Sequence, residues 1–115
     1  MSALSDEILK LIRARQNVTF AELSRIEGFS GGTCELLLNT DRTSNIVLWT
    51  AMTQEACDAL NELMMEKKIH CLPTSFLTYL CDGSALRLPI AKRAHHYKKP
   101  HWMPVVYNPG PPPKK

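Results

Sequence analysis

In the first quarter of the chain, apolar residues recur at the spacing of helices that bury one side. Ile8, Leu9, Leu11 and Ile12 form one stripe. Leu4 and Leu9 flank Ser5 at the separation of a hydrophobic staple, which predicts a helix capped by Ser5 and running from Asp6 to about Gln16. Asp6 then sits at the positive end of the helix dipole, with Arg13 and Arg15 at the negative end. A second start follows at Thr19-Phe20-Ala21-Glu22, a capping box in which hydroxyl and carboxylate satisfy each other's backbone amides. Val18 and Leu23 repeat the staple; Phe20, Leu23 and Ile26 are the buried side; Gly28 is the stop.

The period then changes. Residues 33–38 and 45–50 are short runs rich in Leu, Ile, Val and Trp, with the polar stretch 39–44 between them, and they predict a β-hairpin. Helical spacing returns behind Thr53, where Ala56, Cys57, Leu60, Leu63 and Met64 form the apolar face of a helix ending near Lys67. Residues 69–72, 76–81 and 85–90 read as three further strands, each bounded by a breaker. Asp82-Gly83 is a strong turn signal for a hairpin between the last two. Leu86, Leu88 and Ile90 alternate with Arg87 and Pro89, and Pro89 places that strand at an edge.

This order resembles the winged helix-turn-helix family. The opening DEILKLIRARQNVTFAELSRIEGF is similar to its first two helices, with room for a short strand at Val18. TQEACDALNELMMEKKIHCLPTSFLTYLCDGSALRLPIA resembles its recognition helix feeding directly into a wing. The resemblance covers residues 5–91 and rests on hydrophobic spacing. It implies an α+β, winged helix-like fold with three helices and a C-terminal β-hairpin wing, in a small DNA-binding regulator of bacterial or phage type. The inserted hairpin between the second and third helices departs from the family pattern. The expected organisation is a domain at 1–91 and a basic, aromatic and proline-rich tail at 92–115.

Charge adds a division that the apolar pattern does not show. Of the 115 residues, those up to Leu86 hold seven Lys and Arg against all eleven Asp and Glu. From Arg87 onward there are seven basic residues and no acidic one. A basic tail on an acidic body is a common arrangement for contact with nucleic acid or an acidic partner. The candidate nucleic-acid contacts are Arg87, Lys92, Arg93, Tyr97, Lys98 and Lys99, lysines and arginines neutralising phosphates and the ring stacking. Trp102, Met103, Val105, Val106 and Tyr107 are expected to fold back onto the body, because a cluster this apolar is costly to leave in water.

The third helix points elsewhere. Its polar positions include Glu55, Asp58, Glu62 and Glu66, four carboxylates that would oppose docking against a polyanion. They motivate the alternative of a protein partner on that helix. A third possibility is a homodimer through an exposed apolar face of the inserted hairpin around Trp49. Zinc is disfavoured, because His96 and His101 have no CxxC pair beside them. GFSGG follows a helix and so fails the context of a phosphate loop; no cofactor and no enzymatic activity are expected. With four cysteines in no paired spacing and no signal-like start, a cytoplasmic protein without a membrane span is expected.

Overall fold

The computed structural model describes residues 3–38, 43–81, 83, 86, 88–91 and 96–111. In chain order its elements are α1 (Ala3–Arg15), β1 (Val18–Thr19), α2 (Phe20–Leu23), β2 (Ser30–Leu37), β3 (Ser44–Met52), α3 (Gln54–Met65), β4 (Ile69–Pro73), α4 (Phe76–Cys81), β5 (His96–Trp102) and β6 (Val105–Pro109). The fold is α+β, with strands in two three-stranded sheets ordered β1-β6-β4 and β2-β3-β5.

Local sequence signals account for the first half. α1 buries Leu4, Ile8, Leu9 and Ile12 as the stripe predicts. It begins three residues earlier than expected, so Ser5 is an interior, buried residue and not the cap. Thr19 caps α2, its Oγ1 accepting from the Glu22 amide at 3.2 Å, while the Glu22 carboxylate pairs with Arg15 Nε at 2.8 Å. α2 ends at Leu23 and does not reach Gly28. Ser24 Oγ bonds back to the Ala21 carbonyl, and the Arg25, Ile26 and Phe29 amides bond three residues back, a tight-turn pattern that unwinds the helix.

α3 follows its prediction at both ends. Thr53 Oγ1 accepts from the Ala56 amide (3.1 Å) and donates to the Gly28 carbonyl (2.6 Å). At the other end, Lys67 takes the left-handed conformation (φ 59°). Its amide bonds Met64 O and the Lys68 amide bonds Leu63 O, which is a Schellman closure. The chain therefore turns directly from α3 into β4.

The second half departs from expectation. Phe76–Cys81 is helix α4, not a strand. Its composition suits a strand, but a tertiary contact overrides propensity. The Tyr79 hydroxyl donates to Val105 O (2.6 Å) and accepts from the Phe20 amide (3.1 Å), and the ring meets Trp102 edge-on at 5.0 Å. One buried tyrosine docks the helix, while Phe76, Leu77 and Leu80 remain exposed. Gly83 makes no described hairpin turn either: with φ 84° and its amide on Leu80 O, it closes α4. Four helices are described where three were expected. Of the strand expected at 85–90, Ala85 and Arg87 lie outside the described residues, and Ile90 forms only a parallel bridge with Trp102.

The strand that completes the first sheet comes from the expected tail. β6 lies between β1 and β4, antiparallel to both, with Tyr107 opposite Val18 on one side and Cys71 on the other. Asn17 and Asn108 exchange hydrogen bonds at 2.9 and 3.0 Å beside this pairing. The expected packing of residues 102–107 holds, and goes further than covering a patch, since Trp102 and Tyr107 are fully buried.

An aromatic chain joins the two sheets. Phe20 stacks on Trp49 at 5.6 Å and meets Tyr107 edge-on at 5.3 Å, and Trp49 continues to Trp102 at 6.3 Å. Trp49 is therefore core, and the expected exposed face around it does not exist: Ile46, Val47, Leu48 and Trp49 are all buried in central strand β3. Two donors in this core, Trp102 Nε1 and the Tyr107 hydroxyl, have no hydrogen-bond partner among the described residues. Burial pushes the Tyr107 pKa well above the usual tyrosine range.

Candidate nucleic-acid interface

β5 is an edge strand running parallel to β3. Its register is interrupted in a definite way. Ser44 faces His96 and Ile46 faces His101, so Asn45 alone stands opposite the four residues Tyr97, Lys98, Lys99 and Pro100. Those four residues bulge out of the ladder, and Lys98, Lys99 and Pro100 are exposed.

The bulge is held from both strands. Asn45, itself left-handed at φ 58°, donates from Nδ2 to the Tyr97 carbonyl at 2.7 Å. Ser44 Oγ and His96 Nδ1 are hydrogen-bonded at 3.1 Å. Within the bulge, the Lys99 carbonyl accepts from His101 Nδ1 (2.8 Å), and the His101 ring stacks on Tyr97 with centroids 4.0 Å apart and planes 24° from parallel. Beneath it, Trp102 is anchored by its amide to Pro89 O and its carbonyl to the Ala91 amide, both at 2.8 Å. Two exposed lysines thus sit side by side in a braced loop on the edge strand, the residue type that neutralises phosphates.

Of the sequence candidates, Lys98 and Lys99 stand next to each other here as exposed cations with no ion pair among the described residues, while Tyr97 is half-buried with one ring face covered by His101. Tyr97 is placed to brace the loop more than to stack on a base. Arg87, Lys92 and Arg93 lie outside the described residues. Sequence reading missed Ser44 and Asn45 as the supporting residues. Ser44 falls in the expected polar connection and Asn45 at the start of the expected strand, and nothing local marks either one, since their partners are 52 residues away.

The opposite charge is on α3. Glu55, Asp58 and Glu62 are exposed there, and Glu66 is exposed at its C-cap, 3.6 Å from Lys68 Nζ. Asp58 accepts from Gln54 Nε2 at 2.8 Å. A cleft of about 440 Å³ beside α3 is lined by Glu7, Glu27 and Glu55 together with Leu4 and Ile26. No group of three or more His, Cys, Asp or Glu side chains converges among the described residues, and none of the described helices is long and apolar enough to cross a membrane.

No protein-family model, no curated protein and no solved structure matches the chain.

Proposed function

We propose that the protein is a small winged-helix-type DNA-binding protein, a regulator that holds duplex DNA through the basic bulge of β5 and the basic stretch preceding it. Support for the winged-helix reading comes from element order: a short strand between the first two helices, and a third helix that turns without a loop into an antiparallel strand pair. The observation that carries the DNA reading is the braced bulge, which projects Lys98 and Lys99. Lys92 and Arg93 precede it by a few residues in a stretch with no acidic side chain. The grip is on phosphates and is independent of base sequence, because the exposed carboxylates of α3 oppose major-groove reading by that helix. In this reading the protein performs no chemistry on its ligand.

Fluorescence anisotropy with a duplex of about 20 base pairs tests the reading, with salt varied from about 50 to 200 mM. Wild-type affinity should fall steeply with salt, and Lys98→Ala with Lys99→Ala should lower the logarithmic salt slope by about 2, roughly 1 for each lost phosphate contact. Absence of binding at the lowest salt rejects the proposal. A second reading, a protein-interaction module, rests on the exposed carboxylates Glu55, Asp58, Glu62 and Glu66 and the acidic cleft beside them. It predicts that neutralising those four residues abolishes capture of a basic partner and leaves the lysine bulge irrelevant.

A further inference from the structure

A group of side chains unconnected with the basic bulge converges where β2, the end of β3 and the start of α3 meet. Cys34 on β2 is the cross-strand partner of Met52. Cys57, one turn into α3, has its Sγ 3.9 Å from Met52 Sδ. Cys34 is half-buried, whereas Cys57 and Met52 are buried. Cys34 Sγ donates to Gln54 Oε1 at 3.0 Å, and Gln54 in turn donates to Asp58 at 2.8 Å. Close approach of the elements is enforced at Gly32, where a Cβ would overlap the Met52 carbonyl and the Thr53 Cα.

We propose that Cys34, Cys57 and Met52 form a binding site for one soft, thiophilic cation of the Cu(I) type. Two thiols and a thioether, with no nitrogen ligand among them, match the preference of that ion, while hard cations prefer oxygen. Binding exchanges the two thiol protons for the metal. Both protons leave to solvent, the sulfurs become thiolate ligands, and no electron is transferred. The half-buried Cys34 is the entry side, and Gln54 orients its sulfur from the second layer.

Anaerobic competition against the chromophoric Cu(I) chelator bicinchoninate tests the site. The full chain should withdraw one equivalent of Cu(I). Cys34→Ser and Cys57→Ser should each weaken retention by about tenfold or more, and Met52→Leu by less. The double variant Cys71→Ser, Cys81→Ser should bind as wild type. Cys34 is half-buried, so its variant remains informative if the Cys57 variant does not fold. Failure to withdraw Cu(I), undiminished binding by Cys34→Ser, or loss in the Cys71/Cys81 variant overturns the proposal. So does formation of a Cys34–Cys57 disulfide with hydrogen peroxide by a chain that holds no Cu(I).

Discussion

Helix α3 and the C-terminal strands β5 and β6 carry opposite charge and are built in opposite ways. α3 is assembled mainly from its own neighbours in sequence: Thr53 closes one end, Lys67 and Lys68 close the other, and the apolar residues between fall on one face. β5 and β6 have almost no local support. They are held by Ser44, Asn45, Val47, Val18 and Cys71, residues 36 to 89 positions away. The acidic surface is thus a property of a segment, whereas the basic bulge is a property of the folded chain. A helix can display charge wherever its sequence puts it. A bulge exists only when a second strand fixes where the ladder breaks.

That contrast can be broken at several points. Trp102→Ala removes the anchor beneath the bulge and should cost about 3–5 kcal/mol by chemical denaturation, with DNA binding lost in step. Asn45→Ala removes the bond to Tyr97 and puts a Cβ-bearing residue without amide support at φ 58°, for about 2 kcal/mol. It should lower DNA affinity in a chain that still folds; unchanged affinity would separate the bulge from the function.

Thr53→Ala tests the local side of the comparison. It removes the α3 cap and the bond to Gly28 O, for about 1.5 kcal/mol, and should leave DNA binding unchanged at temperatures where the chain is folded. Tyr107→Phe is the smallest change and has the opposite sign: deleting a buried hydroxyl with no described partner should stabilise by about 1 kcal/mol. It also has a pH signature. The folded pKa of Tyr107 is raised, so its contribution is intact below the unfolded value near 10 and is lost as pH rises above it. Denaturation midpoints of wild type should therefore drop between about pH 9 and 11 more than those of the variant.

Legibility in the sequence follows the same line. The stripe of α1, the Thr19 and Thr53 caps, the strand pair and the break after Lys67 were all readable, because each depends on residues within one or two turns of each other. α4 was misread since Phe76-Leu77-Thr78-Tyr79-Leu80-Cys81 has strand composition, and its helix is fixed by one tyrosine against Phe20 and Val105. The hairpin turn at Asp82-Gly83 was misread because left-handed glycine serves a helix end as well as a type I′ turn. At the candidate site the lysines are visible by composition, whereas the His101 ring that covers one face of Tyr97 is a contact the sequence does not show.

The sequence by itself determined the body of α1, the strand pair β2 and β3, helix α3 and strand β4, the acidic face of α3, and that residues 102–107 would be buried. Those follow from periodicity, capping and the cost of exposed apolar surface, all additive along the chain. Only the tertiary structure decided that β6 enters the middle of the first sheet, that Trp49 is core, that Lys98 and Lys99 leave the ladder together, and that three sulfurs meet beside α3. These depend on register and on contacts between residues far apart, where a shift of one position reverses which side chains face the core.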